Sequence, residues 1–234
     1  MTNINQSRLK KATKVFNEVF NKYDLMNDIM SLGAHRVWKK RLIDWMSPKK
    51  GDYLIDVASG TGDIARAFLK QTNNQGKVAC VDPNKLMLGE GRKKLRNLKN
   101  ITWHCSLAEK LPFENETFDI YSVSFGMRNF SNINSSIAEA KRVLKVGGRL
   151  ICLEFSKVDN EILSKVYKLY SKSIPYIGKY IVGNSEPYEY LVKTIDEFYN
   201  QDELTKILEE NGFSNVEYRN LSAGVVAIHS GWKV

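Results

Sequence analysis

Cysteine and histidine are scarce in this sequence, with three residues of each among 234. The cysteines, Cys80, Cys105 and Cys152, form no C-x-x-C pair, and an odd number is typical of a reducing compartment. Each lies in a strand-like run, which predicts three small core residues. The histidines lack metal-ligand spacing, and His229 on the last predicted strand is expected to be a packed residue rather than a base. We therefore expect no metal site.

Long apolar stretches are also absent. No apolar run approaches the length of a membrane span, and the opening stretch MTNINQSRLKKATKVF lacks the apolar region of a secretory signal. An amphipathic pattern continues directly from this stretch, which favours a cytoplasmic protein over one with a transit peptide. Acidic residues number 26 against 35 basic ones, for a formal charge of +9. This charge fits a solvated lysine-rich surface, a nucleic-acid partner or an anionic membrane, and does not choose among them.

The apolar runs that are present alternate with helical patterns, which is typical of a parallel sheet with crossover helices. Strands are predicted over 52–59, 77–82, 101–106, 117–126 and 147–156. Helices are predicted over 63–70, 86–98, 133–146 and 202–212, with Pro83 starting the second and Gly147 and Gly148 ending the third. Residues 215–233 hold two strand-like runs whose short Ser-Ala-Gly link permits only an antiparallel hairpin.

The chain is predicted to form a single domain over residues 1–234, with two additions to the alternating pattern. Residues 1–50 form a helical extension ahead of the cofactor-binding half, residues 51–157. Residues 158–200 hold seven of the eleven tyrosines, interleaved with lysines, and are long enough for a lid or substrate-binding insertion. Ordinary packing of half-buried tyrosines on helices is the alternative. Residues 201–234 supply the last helix and strands.

A glycine turn follows the first predicted strand in DVASGTGD, residues 56–63. Gly60, Gly62 and Ala65 have the G-x-G-x-x-A spacing that lets a backbone turn sharply against a ligand. Asp82 ends the second strand about twenty residues later, where a carboxylate binds both hydroxyls of a ribose. The pattern therefore predicts a bound adenosine-type ribose.

Two carboxylates at the ends of this loop discriminate between ligands. Asp56 lies late in a buried strand and needs a partner, whereas Asp63 starts the next helix, where satisfying the helix dipole is its alternative role. The phosphates of a dinucleotide would be repelled here. S-adenosylmethionine brings instead a cationic sulfonium and ammonium, which carboxylates attract. The loop therefore favours S-adenosylmethionine.

DVASGTGD resembles the glycine motif of class I S-adenosylmethionine-dependent methyltransferases. That resemblance implies an α/β, Rossmann-like fold, a seven-stranded and mostly parallel sheet with an antiparallel last strand and helices on both faces. The segments FNKYDLMNDIMSLGAHRVWK, SFGMRNF, RVLKVGGRLICLEFSK and AGVVAIHSGWK together look like the ubiquinone/menaquinone biosynthesis C-methyltransferases. Members of that bacterial family methylate a ring carbon of a polyprenylated benzoquinol or naphthoquinol. The resemblance does not choose between the two rings, and it does not fix the tail length.

The resemblance also implies which residues contact the cofactor. The full set, which includes the carboxylates and glycines already described, is Asp56, Gly60, Thr61, Gly62, Asp63, Asp82, Leu107, Ala108 and Ser124. The chain departs from the family at Ser59, where glycine is common, and at Leu107, where asparagine is more frequent. At Leu107 only backbone contacts are therefore expected.

Three residues are implied in catalysis. A ring carbon becomes a good nucleophile when a conjugated hydroxyl becomes a phenolate. Arg128 cannot release its proton, so its implied role is to stabilise that phenolate or to orient a water that takes the proton. Asn129 would bond the same oxygen or water, and Tyr23 would be a lid residue over the quinol. A structural role would instead make Arg128 an ion-pair partner and Tyr23 a core aromatic.

The substrate's isoprenoid tail implies a protein that docks peripherally on the anionic inner membrane. The +9 charge and the Tyr/Lys-rich segment 158–200 would serve that docking. A homodimer or a quinone-biosynthesis complex is left open.

Three rival functions are weighed against this one. A nucleic-acid methyltransferase is disfavoured because SFGMRN stands where an Asn/Asp-Pro-Pro-aromatic turn is usual, and no cysteine follows a proline. An NAD(P)-dependent oxidoreductase would have to place pyrophosphate beside Asp63. A non-catalytic protein would bind the cofactor without turnover.

Overall fold

A computed structural model of the chain describes residues 31–158 and 185–234, together with residues 15, 17, 25, 27, 28, 170, 174–176, 179 and 180. Most of the predicted extension before residue 31, including Tyr23, lies outside the described residues. So does most of the predicted insertion between residues 158 and 185. The site described below is built from the remainder.

The described residues form seven strands. They are β1 (Tyr53–Val57), β2 (Lys77–Val81), β3 (Ile101–His104), β4 (Phe118–Ser124), β5 (Leu144–Phe155), β6 (Ser214–Leu221) and β7 (Val226–Trp232). One sheet contains them in the order β3-β2-β1-β4-β5-β7-β6. The first five pair in parallel, whereas β7 runs antiparallel to both β5 and β6. The predicted mostly parallel sheet with an antiparallel last strand is therefore confirmed.

Six α-helices precede or connect these strands in the described part of the chain. They are α1 (His35–Met46), α2 (Asp63–Gln71), α3 (Lys85–Lys94), α4 (Ile133–Val143), α5 (Glu186–Asp196) and α6 (Gln201–Glu210). Three of them begin at an asparagine whose side chain accepts hydrogen bonds from backbone N–H groups of the first turn: Asn84, Asn132 and Asn200. No helix in the described residues is long and apolar enough to cross a bilayer.

The helices cover both faces of the sheet, as predicted. One apolar cluster joins α1, α2 and α5 to the sheet, and a second joins α4 and α6 to its other face. Neighbouring strand residues alternate between them, so that Leu54 packs in the first cluster and Ile55 in the second. Because β1 pairs in parallel with both β2 and β4, the carboxyl ends of these three strands meet at one edge of the sheet. The predicted site residues are found at this edge.

The predicted end of the helix at Gly147 is wrong. α4 ends at Val143, and Leu144 already pairs with Phe118 as the first residue of β5. The register then shifts before Arg149 pairs with Ile120, so the intervening residues bulge out of the ladder. Gly147 supplies a φ of +77° inside this bulge rather than a helix stop.

The expectation of three buried cysteines is wrong for one of them. Cys80 on β2 and Cys152 on β5 are buried, but Cys105 is exposed. β3 ends at His104 and lies at the edge of the sheet, so Cys105 falls beyond the strand in the following loop. Among the described residues, no group of three or more His, Cys, Asp or Glu side chains is placed to hold a metal ion.

Candidate active site

The glycine turn connects β1 to α2 at the edge where the parallel strands end. Gly60 and Gly62 have φ values of +54° and +84°, in the left-handed region that glycine adopts without steric cost. The N–H of Gly62 donates to the carbonyl of Ser59 at 2.9 Å and closes the turn. The turn is therefore compact, and added Cβ atoms at Gly60 and Gly62 would meet Met87, Leu95 and Trp103 within 3.2 Å.

Gly62→Ala should be strongly destabilising. The left-handed φ costs an alanine about 1–2 kcal/mol. In addition, its Cβ would lie 2.8 Å from both Leu95 Cδ1 and Trp103 Cη2. Urea denaturation should therefore show a loss of more than that strain alone. Gly89→Ala is the matched control, since nothing lies within 4 Å of its added Cβ and alanine favours a helix by up to about 1 kcal/mol. A Gly62→Ala protein as stable as wild type would contradict the constraint.

Asp82, just after β2, holds the glycine turn in place. Its Oδ2 accepts the N–H of Gly60 at 2.9 Å, and its Oδ1 accepts the N–H of Asn84 at 2.8 Å. Burial raises the pKa of Asp82 to about 6, against the lowering effect of these two bonds. The sequence predicted a ligand-binding role for this carboxylate but missed that it also fixes the loop.

A largely apolar cavity opens beside Asp82. Met87, Phe125 and Phe130 contribute apolar walls, and Asp82 contributes a carboxylate. Of the residues predicted from the sequence, Gly60, Asp82, Leu107, Ala108 and Asn129 line it. Glu109 also lines the cavity, where its Oε1 accepts the N–H and the hydroxyl of Ser131 at 2.7 Å. Apolar walls with the Asp82 carboxylate at the side fit an adenosine, whose base is flat and whose ribose carries two hydroxyls.

A second, smaller cavity lies on the other side of the turn and is lined by Lys39, Asp56, Thr61, Asp63 and Ser124, among others. Asp56 is buried, and its Oδ1 accepts the hydroxyl of Ser122 at 2.8 Å. Its Oδ2 and the Ser124 hydroxyl are buried with no hydrogen-bond partner among the described residues. Burial raises the pKa of Asp56 to about 7. Such orphaned polar atoms are costly, so they indicate a polar ligand group at this cavity.

Asp63 is not a free carboxylate, contrary to the carboxylate-rich loop that the sequence suggested. Lys39 Nζ on α1 donates to its Oδ2 at 2.8 Å, and Arg66 Nη2 lies 3.7 Å from its Oδ1. Burial raises the pKa of Asp63, but Lys39, Arg66 and Lys94 together outweigh it and keep that pKa below its usual value. Asp63 therefore stays ionised while most of its charge is compensated. Lys39 was missed because it is 24 residues away in sequence.

Arg128 lies in a 3-10 turn (Met127–Asn129) after β4, and its side chain is only 4 % exposed. Its Nη1 donates to Glu154 Oε1 at 2.5 Å and to the carbonyl of Phe125 at 2.7 Å. Glu154, 2 % exposed, also accepts the N–H of Arg128 at 3.3 Å and that of Phe155 at 2.9 Å. The buried ion pair that the sequence left as an alternative is therefore present. Arg128 is not among the residues that line the larger cavity.

Asn129 is the predicted catalytic residue that does reach the larger cavity. Its Oδ1 accepts the hydroxyl of Tyr190 on α5 at 3.0 Å. This bond connects the turn after β4 to the helix that ends the 158–200 connection. Sequence reasoning placed Tyr190 in that connection without a role. Tyr23 lies outside the described residues.

Two residues beside the larger cavity have an unusual backbone. Ala58 after β1 and Phe125 after β4 have φ values of +54° and +56°, which non-glycine residues rarely adopt. A Cβ at Gly126 would collide with the Cβ of Ala58, so the two strand ends pack in contact. The Phe125 ring packs on Phe155 at 5.0 Å between centroids and lines the cavity. Strained backbone of this kind is concentrated at ligand sites.

His229 is confirmed as a packed residue. It is buried on β7, and its Nε2 lies 2.9 Å from the carbonyl of Gln201. Burial lowers the pKa of His229 to about 4, so the ring is neutral at physiological pH. It faces neither cavity described above.

The strand order with its antiparallel β7, the glycine turn after β1 and the carboxylate after β2 define a class I methyltransferase that uses S-adenosylmethionine. The orphaned acceptors beside the apolar cavity fit that cofactor. Solved structures share the fold. A SAM-dependent methyltransferase from Thermotoga maritima is 20% identical with a TM-score of 0.67, covering 94% of this chain and 99% of its own. One from Aquifex aeolicus is 21% identical with a TM-score of 0.62, covering 84% and 89%.

The particular family follows from the sequence comparisons. The model of the ubiE/COQ5 methyltransferase family matches residues 1–233, and the chain belongs to this family. Curated relatives named ubiquinone/menaquinone biosynthesis C-methyltransferase UbiE include one from a Ruegeria species, 46% identical over 224 residues, covering 94% of this chain and 89% of the relative. Another, from Brucella anthropi, is 46% identical over 228 residues, covering 94% and 86%. The chain is a methyltransferase, and neither an oxidoreductase nor a nucleic-acid methyltransferase is favoured.

Proposed function

We propose that the protein transfers the methyl group of S-adenosylmethionine to a ring carbon of a polyprenylated quinol, either a methoxybenzoquinol, a demethylmenaquinol or both. Relatives that carry this activity in their names are 46% identical along nearly their whole length. The observation that carries the proposal is the pair of cavities flanking the glycine turn, one largely apolar with the Asp82 carboxylate at its side and one with orphaned acceptors.

The cofactor, when bound, supplies an electrophilic methyl group. In our proposal Asp82 bonds the ribose hydroxyls, and the backbone at Leu107 and Ala108 borders the adenine. Asp56 and Ser124 face the cationic end of the methionine part, because their orphaned oxygens need a donor. Gly60 and Thr61, which line the smaller cavity, approach the cofactor through their backbone, whereas Gly62 lines neither cavity and shapes the turn. Asp63, paired with Lys39, adds a weaker electrostatic contribution.

Asn129 is the residue that we propose to contact the quinol oxygen. It reaches the larger cavity and is oriented by the Tyr190 hydroxyl, so it can hold a hydroxyl or a water at a fixed position. Arg128 then acts as a positioning residue, because its side chain fastens the same turn to Glu154 and Phe125. Tyr23 remains a proposed lid residue.

A membrane surface is the proposed second partner. A polyprenyl tail partitions into the bilayer, and the +9 charge of the chain favours the anionic inner leaflet. We propose peripheral association of a cytoplasmic protein with that surface. Assembly as a homodimer or within a quinone-biosynthesis complex belongs to the same proposal.

A methyl-transfer assay with labelled S-adenosylmethionine tests the reaction. A polyprenyl methoxybenzoquinol and a demethylmenaquinol, both kept reduced in detergent, are expected to take up label in one or both cases. The quinol that becomes labelled identifies whether the enzyme methylates the benzoquinol ring, the naphthoquinol ring or both. Total RNA serves as the control acceptor and should remain unlabelled. If neither quinol is labelled while calorimetry shows that the cofactor binds, the proposed substrate is wrong.

A further inference from the structure

A groove runs between α1 and α2 on one face of the sheet, and basic side chains dominate its walls. The cations that line this α1–α2 groove are Arg36, Lys39, Lys40, Arg66 and Lys70. Those on each helix recur at three- or four-residue spacing, so each helix turns one basic side towards the groove. The arrangement concentrates positive charge that the overall net charge of the chain does not reveal.

The carboxylates in this groove do not cancel its charge. Two of them, Asp44 and Asp63, line it against the five cations, which leaves an excess of three positive charges. Asp63 is already held by Lys39 at 2.8 Å. Asp44 Oδ2 lies 3.9 Å from Nη1 of Arg41, and Arg41 is not one of the cations that line the groove. Arg36 Nη2 lies 2.8 Å from Asp28 Oδ2, and Arg66 Nη2 lies 3.7 Å from Asp63 Oδ1, so three of the five cations already have a carboxylate nearby. Lys40 and Lys70 are exposed and lie outside these ion pairs, so they are the cations that an anionic partner would meet first.

Large apolar side chains are exposed on α1 and just before it. Leu32, just before α1, is 81 % exposed, and Val37 on α1 is 57 % exposed. Val37 lies next to Arg36 in sequence and one helical turn before Lys40. Apolar side chains set among cations are typical of a surface that enters the headgroup region of a bilayer. They have no comparable partner on the phosphate backbone of a nucleic acid.

The groove adjoins the active site. Lys39 and Asp63 line both the α1–α2 groove and the smaller cavity of the glycine turn. A bilayer that met the groove would consequently lie beside the cofactor. A substrate whose tail stays in the lipid would have only a short distance to reach the reaction site.

We propose that the α1–α2 groove, with Leu32 and Val37, is the surface that docks on an anionic phospholipid bilayer. Headgroup phosphates occupy the groove, and the two apolar side chains enter the interface. The inference rests on the proposed function, because the membrane-bound substrate gives the docking its purpose, but vesicle binding tests it without turnover.

Vesicle flotation with charge-reversed variants is the test. Wild type should bind vesicles containing phosphatidylglycerol more tightly than pure phosphatidylcholine, and salt should weaken that binding. Each basic residue near an anionic surface contributes roughly fivefold, so Lys40→Glu/Lys70→Glu should reduce binding by about 25-fold or more. The matched control is Lys77→Glu/Lys99→Glu, which has the same charge change on exposed lysines that do not line the groove. It should retain most of the binding.

The apolar contribution is tested by Leu32→Asn/Val37→Gln, which should lower binding and leave its salt dependence unchanged. Equal losses in both charge-reversed proteins would overturn the proposal, because net charge alone would then explain binding. No preference of wild type for anionic vesicles would overturn it as well, as would binding of duplex DNA through these lysines in place of vesicles. Thermal melts of all variants verify folding. Methyl transfer by wild type in detergent is measured separately, so a wrong substrate and a wrong surface give different results.

Discussion

Replacing Arg128 with alanine is expected to lower the free energy of unfolding by about 3–5 kcal/mol, because it leaves the Glu154 carboxylate buried without its counter-ion. Both side chains are almost fully buried, and Arg128 also holds the carbonyl of Phe125. Glu154→Ala should cost a similar amount, since it leaves the guanidinium unpaired. In Arg128→Ala/Glu154→Ala the loss should be smaller than the sum of the two single losses.

Arg128→Ala should also reduce turnover more than it reduces cofactor affinity. Arg128 fastens the 3-10 turn, and the next residue in that turn, Asn129, reaches the larger cavity. Loosening the turn would misplace Asn129, and misplacement of about 1 Å can cost a hundredfold in rate. Asp56 and Asp82, on β1 and after β2, would be little affected. A steady-state assay and calorimetric titration separate the two effects.

The exposed ion pair between Lys145 and Asp119 provides the control for stability. Its atoms are 2.7 Å apart, but both side chains are a third to a half exposed, so Lys145→Ala should cost no more than about 1 kcal/mol. Urea denaturation measures the loss of unfolding free energy in both Arg128→Ala and Lys145→Ala. If Arg128→Ala unfolds like wild type and still loses turnover, Arg128 contacts the substrate directly. The sequence-based hypothesis of phenolate stabilisation would then replace the positioning role.

Asp56→Asn is expected to stabilise the cofactor-free protein at pH 8 while weakening S-adenosylmethionine binding at least tenfold. Burial raises the pKa of Asp56 from 3.8 to about 7, helped by the neighbouring carboxylates Asp63 and Asp82 and opposed by Ser122 and Lys39. Ionised Asp56 is thus unfavourable without a cationic ligand. A neutral amide removes that cost and removes the attraction for the cofactor as well.

The pH dependence follows from the direction of this shift. Between about pH 4 and pH 7 the folded protein keeps a proton on Asp56 that the unfolded chain releases. Stability therefore falls as pH rises through this window and levels off above it. A shift of about three units corresponds to at most about 4 kcal/mol. Asp82, whose pKa is raised to about 6, adds a fall of the same sign.

Comparing variants separates these two carboxylates. Urea denaturation at pH 5 and pH 8 should show a smaller loss of stability for Asp56→Asn than for wild type, and calorimetry at pH 8 should show the weaker cofactor binding. The exposed Asp44→Asn protein should follow the wild-type stability curve. Identical curves for Asp56→Asn and wild type would mean that Asp56 does not carry this proton.

Local sequence patterns were sufficient to predict much of the fold. Alternation of apolar runs and helical patterns predicted the parallel strands, and the Ser222–Gly224 link predicted the antiparallel pairing of β6 with β7. The end of α4 was mispredicted, because pairing of Leu144 with Phe118 overrides the local preference that Gly147 expresses. Strand pairing is a tertiary interaction, and a single stretch of sequence does not contain it.

The site residues likewise fall into those whose positions the sequence predicted and those whose surroundings it did not. Gly60, Gly62 and Asp82 were recognisable, since one strand, one turn and the next strand end determine their positions. Other side chains acquire their surroundings from partners far along the chain. Asp63 is neutralised by Lys39, Arg128 by Glu154, and Asn129 is oriented by Tyr190. Only a fold can bring such pairs together. A lone acid within the apolar stretch LICLEF was the one local sign that Glu154 needed a partner.

The position of β7 has a consequence for how the chain is made. β7 follows the other described strands in sequence, yet it lies inside the sheet, and it is the strand that joins β6 to the rest. During synthesis β5 must therefore present an open, hydrogen-bonding edge until residues 226–232 emerge, and β6 has no place in the sheet before then. Nascent chains and truncated products would share this exposed edge, which can pair with another molecule. Chaperone dependence of this protein should accordingly be concentrated in the interval before residues 226–232 emerge.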